Sequence, residues 1–261
     1  MDTPSASLKQ TSAEKCHLGL TAGPEELFQM ILDPDMEFLK ILLKNRSFGE
    51  DHLLALLKRR DLTEDLLSHI HRVKRDSLNH RLQLAIVKNP AAPGALIRTL
   101  LPHLRLFELL DLCILPGATP DQKLAAERAV IQRLPTTPLG NKITLARRGT
   151  STIVGELLKE GHPQVCEACL SSPHLKEAAI FQFLRGSSAS GETISLVARH
   201  NRWKQRPNLR MAILKNPRTP EVWLTLWLPQ LNRTLLKQLQ SSLKTVPTRR
   251  QLVDNELKKR G

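Results

Sequence analysis

The chain has 261 residues; 41% are hydrophobic, yet the only aromatics are three Trp and six Phe, with no Tyr. Leucine and alanine must carry the core, which favours helices over sheets built on aromatic and β-branched residues. A net charge of +14 points to a polyanionic or acidic partner, and no run reaches the ~18 to 20 apolar residues of a bilayer-spanning helix.

Residues 1–22 are rich in Ser, Thr and Lys without periodicity and read as a disordered tail. They lack the apolar stretch of a secretory signal, which predicts a cytoplasmic protein. Cys16, Cys113, Cys166 and Cys169 form no disulfide framework, in keeping with a reducing compartment. From 23 to 261 the chain reads as one domain of short helices. Leu27, Met30 and Ile31, then Phe38, Leu39, Leu42 and Leu43, recur at helical spacing. Asn45, Asn89 and Asn216 each follow a lysine at the end of an apolar run. Two of them precede proline, which stops a helix. Thr219 is expected to cap the next helix, with Pro220 in its first turn.

One segment occurs twice. LQLAIVKNPAAPGALIRTLLPHLRLFELLDL at 82–112 aligns without a gap to LRMAILKNPRTPEVWLTLWLPQLNRTLLKQL at 209–239, a constant offset of 127 in numbering. Weaker copies place repeat starts near 41, 85, 144, 168 and 212. Such self-similarity predicts an all-α solenoid, each unit burying its apolar face on the next. Ala85, Ala168 and Ala212 share one repeat position and are expected where adjacent helices approach most closely. Trp223 and Trp227 align with Leu96 and Leu100 and are expected in the core.

The order Pro, apolar, two spacers, Ala, two apolars, two spacers, Pro, then Thr-Pro and a second short helix is clearest at 162–182 and 206–228. It resembles the leucine-rich repeat variant, a bacterial repeat related in shape to HEAT repeats. The resemblance implies a right-handed α-superhelix with concave and convex faces. A member of that family carries an iron–sulfur cluster in a cysteine-rich N-terminal module. This chain has only Cys16 there, so no cofactor is carried over. The family motif fixes packing and names no catalytic residue.

His162, Cys166, Cys169 and His174 have spacings that suggest metal ligands. The repeat frame, however, sets Cys169 on the core position of Ile213 and Cys166 on the surface position of Arg210, so no metal is expected. His69 and His71 face different sides of a helix. No phosphate loop, nucleophile elbow or metalloprotease motif occurs, so no catalysis is expected. Trp203 beside Arg202 and Lys204 shares its composition, without a residue-by-residue match, with the groove of HEAT-like alkylpurine DNA glycosylases. That analogy of fold supplies a third, enzymatic reading.

The basic residues carry the stronger signal. Lys44, Lys88, Arg147 and Lys215 precede the repeat asparagine or its equivalent and predict a cationic ridge, at helix ends that themselves favour cations. A second cluster sets Arg199, Arg202, Lys204, Arg206 and Arg210 around Trp203, a composition suited to phosphates and one stacked base. These features predict a non-catalytic scaffold for a macromolecular partner. A protein is the first expectation and the nucleic-acid backbone the second, with no membrane contact.

Overall fold

A computed structural model describes residues 4–243 and 247–259, which are helices and turns with no strand among them. The chain divides into two compact units, Met1–Val130 and Ile131–Gly261, where the sequence suggests one domain over 23–261. The first unit holds α1 (Pro4–Thr21), α2 (Pro24–Met30), α3 (Met36–Leu42), α4 (Glu50–Leu57), α5 (Glu64–Val73), α6 (His80–Lys88), α7 (Gly94–Leu100), α8 (Leu106–Ile114) and most of α9 (Pro120–Arg133). The second holds α10 (Leu139–Arg148), α11 (Ser151–Lys159), α12 (Pro163–Ser171), α13 (Glu177–Arg185), α14 (Gly191–Arg199), α15 (Pro207–Lys215), α16 (Glu221–Trp227), α17 (Arg233–Ser242) and α18 (Pro247–Lys258).

The offset of 127 extends far beyond the segment where sequence identity reveals it. The same offset relates the first residue of every helix from α2 to α9 to that of its counterpart from α11 to α18. It also relates the last residues of α1 and α10. Burial follows the same register. Leu27 and Val154, Leu39 and Cys166, Leu42 and Cys169, Leu56 and Phe183, and Ile86 and Ile213 are all buried. The core therefore keeps its positions while exchanging one apolar side chain for another.

Within each unit a helix packs on the second helix along. In the first unit α1 meets α3, α2 meets α4, α3 meets α5 and α4 meets α6. In the second, α10 meets α12, α11 meets α13, α12 meets α14, α13 meets α15 and α15 meets α17.

The segment read as a disordered tail is helical from Pro4 to Thr21, because its last turns have a docking site. The Asn45 carboxamide donates to the carbonyls of Gly19 (2.8 Å) and Ala22 (3.1 Å), and Lys15 pairs with Asp33 at 2.6 Å. Gly19 is required there, since a Cβ would come within 2.8 Å of the Phe38 ring.

The Asn45 contact belongs to a general device. The last carbonyls of a helix have no intrahelical donor, and here polar side chains from later turns supply one. Asn89 Nδ2 donates to Leu57 O (3.0 Å) and Arg59 O (2.7 Å), and Asn216 Nδ2 to Leu184 O (2.6 Å). The carboxamide oxygens of Asn45, Asn89 and Asn216 accept from the N–H two residues on, fixing the turn. Arg59 binds Ile31 O and Asp33 O, and Arg218 binds Ser187 O and Ala189 O, in the same manner. Thr219 departs from the expected role. Its hydroxyl is buried and donates back to Ile213 O, while Pro220 occupies the N-cap of α16.

Candidate functional site

The net positive charge falls on one unit. Residues 1–130 hold 17 Lys and Arg against 17 Asp and Glu, a balance of zero. Residues 131–261 hold 22 against 8, which accounts for the whole +14. The second unit therefore carries a net positive field.

The expected cations fall into two groups. Lys44, Lys88, Arg147 and Lys215 are all exposed at or just beyond helix C-termini. They do not follow one line of packed helices: Lys44 adjoins α3, which meets α1 and α5, whereas Lys88 ends α6, which meets α4. In the cluster from 199 to 210, several members are bound to the protein itself. Arg202 donates to Ser172 O (2.7 Å) and Leu175 O (3.3 Å) and lies 4.4 Å from the centroid of the Trp203 ring. Trp203 is buried and its indole donates to Leu170 O at 2.9 Å, so its ring is closed to a stacked base. Arg210 donates to Lys204 O at 2.6 Å and lies 5.3 Å from the Trp227 ring. Lys204 bonds Asn201, Arg206 lies 4.0 Å from Glu177, and Arg199 is exposed.

Two corrections concern the apolar positions. Ala85, Ala168 and Ala212 are half-buried and do not mark the tightest helix contacts. Ala168 and Ala212 line open grooves. Trp227 is buried as expected, but Trp223 is half-buried and donates to Ser195 Oγ at 2.9 Å.

A groove of about 840 Å³ runs over α13, α15 and α17. Its floor includes Phe181, Met211, Ala212 and Leu235, all half-buried. Arg185 and Lys215 stand exposed at its rim and also line an adjoining hollow of about 590 Å³ with Arg218. The Arg185 guanidinium lies 5.6 Å from the Phe181 ring centroid. The first unit carries the same face as Leu54, Lys58, Leu84, Ala85 and Lys88, the residues at the matching positions of the register. It differs at Glu108 and Asp111, which replace Leu235 and Gln238, and at Asp51 and Arg81, which replace Ala178 and Asn208.

Cys166 is fully buried, against the expectation of an exposed thiol. Helix α12 packs on α10, α11 and α14 and so hides both cysteines. Burial pushes the Cys166 thiol up to about 12 and raises that of Cys169 as well, with the Glu160 carboxylate adding to both shifts. His162 and His174 are exposed, on the other side of the burial divide. No group of three or more potential metal ligands occurs among the described residues. No helix among them is long and apolar enough to cross a membrane.

No family model, curated protein or solved structure matches the chain. The charge segregation could have been found by counting, but only with the boundary at Val130 in hand. The pairing of Arg185 with Lys215 had no signal in the repeat frame, because α13 and α15 become neighbours only through packing on alternate helices.

Proposed function

We propose that the chain is a non-catalytic helical-repeat protein of HEAT-like or leucine-rich-repeat-variant type, a right-handed α-superhelix, that binds a macromolecular partner through residues 131–261. The partner is a protein. The observation that carries this reading is a groove with an apolar floor and exposed cations at its rim, set in the half that holds the whole net charge. Binding surfaces combine apolar anchors with a polar, charged rim in this way.

Pull-down with the purified full chain, with and without nuclease, tests the reading. Proteins retained after nuclease treatment support it, and capture that vanishes with the nucleic acid overturns it. A second reading, sequence-independent binding of nucleic acid, draws on the exposed Lys215, Arg199, Arg147 and Arg206 in the same half. It requires affinity that falls steeply with salt, each neutralised phosphate adding about −0.9 to the log–log slope on duplex DNA.

A further inference from the structure

We propose that the groove over α13, α15 and α17 is the docking site for an acidic protein segment bearing large apolar side chains. The proposal rests on the protein-binding reading above and names the chemistry of the partner.

The floor and the rim make different demands. Phe181, Met211 and Leu235 present half-exposed apolar surface in a concave setting, which gains most from burying an apolar side chain. Met211 adapts its shape to whatever enters. Arg185 and Lys215 have no carboxylate partner among the described residues, and Arg218 is held in place by its bonds to Ser187 O and Ala189 O. Carboxylates flanking an apolar anchor would meet these cations. Such complementarity chooses the partner and speeds its approach.

A phosphate backbone fits less well. It calls for a row of cations and several stacking platforms, whereas this groove offers one aromatic ring and a largely apolar floor.

The first unit supplies an internal comparison. Lys58 and Lys88 occupy the positions of Arg185 and Lys215, but Glu108 and Asp111 stand where the groove has Leu235 and Gln238. Glu108 is ionised: burial pushes its carboxyl up, yet the Arg105 N–H and the His80 ring outweigh this and hold it below its usual value. An acidic segment is therefore repelled from the first unit's face and accepted on the second.

The test uses peptides displayed from a random library and selected on the full chain. The strongest binder is then synthesised with a fluorescent label and titrated. The expected sequences join Leu, Phe or Trp to Asp or Glu. Arg185→Glu with Lys215→Glu should weaken the labelled peptide by about tenfold or more, while Lys58→Glu with Lys88→Glu leaves it within about twofold. Ala212→Leu, which fills the floor without altering charge, should weaken it too, and circular dichroism checks that each variant is folded. Selected peptides without acidic residues, binding indifferent to the Arg185 and Lys215 reversal, or displacement of the peptide by a single-stranded oligonucleotide would each overturn the proposal. Proteins still captured by the Arg185 and Lys215 double variant after nuclease treatment would leave the binding-protein reading standing and sink this groove alone.

Discussion

Gln122 and Arg249, which share one position in the two units' common register, donate to equivalent carbonyls, those of the turn residues Asn89 and Asn216. Gln122 also binds Val87 O, and Arg249 binds Thr219 O. Both side chains come from a later helix and close the end of an earlier one. Arg249 is buried with no acidic side chain in contact among the described residues, and burial lowers its pKa although the Glu221 carboxylate opposes the shift. Its hydrogen bonds to carbonyls thus replace an ion pair. Arg249→Ala strands the buried Thr219 carbonyl, while Asn216 O keeps the Thr219 N–H, and should cost about 1 to 3 kcal/mol. Arg249→Gln, which imports the first unit's solution, should recover at least about half of that loss. Urea unfolding of the two variants measures the difference, and equal losses would count against the equivalence.

Ser172 stands where the first unit has Asn45. The Asn45 carboxamide reaches Gly19 O and Ala22 O, whereas the buried Ser172 Oγ has no hydrogen-bond partner among the described residues. A groove of about 550 Å³ opens beside Ser172 and offers room for a longer side chain. The carbonyls corresponding to those of Gly19 and Ala22 are those of Ala146 and Gly149. Ser172→Asn should therefore stabilise the protein by about 0.5 to 1.5 kcal/mol through a new hydrogen bond. Asn45→Ser should destabilise it by at least as much. A fall in melting temperature for Ser172→Asn would show that the turn after α12 does not reproduce the turn after α3.

Part of this architecture is legible in the sequence and part is not, for identifiable reasons. The 82–112 and 209–239 segments announce the repeat because both keep Lys-Asn-Pro and the same leucines. Elsewhere the register is hidden by exchanges of one apolar residue for another. Leu39 becomes Cys166, Leu42 becomes Cys169, and Gly19 beside Phe38 becomes Ala146 with Val165 at the matching place. Alignment of α12 on α15 sets Cys166 at a surface position, whereas alignment on α3 sets it at the buried position of Leu39, where α10, α11 and α14 pack on its helix. The asparagines read as stop signals because their N–H side is local. Their carboxamides act over 23 to 32 residues, a range that local pattern does not report. The groove is further removed, since Phe181, Arg185 and Lys215 converge only once helices pack on alternate neighbours.

Three thiols should be silent in the folded protein. Burial pushes Cys113 and Cys166 up to about 12, with carboxylates at Glu127 and Glu160 adding to it, and raises Cys169 in the same way. Cys16 is half-exposed. At pH 8 a disulfide-exchange reagent should modify Cys16 at once and the other three only on unfolding, because the thiolate is the reactive form. The raised values also link stability to pH. The thiols stay protonated when folded but ionise from about 9 when unfolded. Their contribution is therefore complete below pH 9 and lost as pH climbs towards 12. Cys113→Ala with Cys166→Ala should flatten the alkaline arm of the stability curve, and an unchanged arm would argue against burial of both thiols.

Arg199 and Arg202, three residues apart in one basic cluster, should respond unequally to charge reversal. Arg199 is exposed at the end of α14. Arg199→Glu should change stability by no more than about 0.5 kcal/mol, as for most surface substitutions. Arg202 also counts as exposed, yet its guanidinium ties Ser172 O and Leu175 O and covers the Trp203 ring. Arg202→Glu removes these donors and places a carboxylate against backbone carbonyls. Partial exposure tempers the loss, which should still reach about 1.5 to 3 kcal/mol, as for hydrogen bonds to charged groups. Arg202→Lys should retain less than half of the contribution, because an ammonium lacks the planar fork that reaches both carbonyls and stacks on indole. Thermal unfolding with Trp fluorescence reads both stability and the Trp203 environment. Equal melting temperatures for the Arg199 and Arg202 reversals would return Arg202 to the solvated surface and free it for a partner.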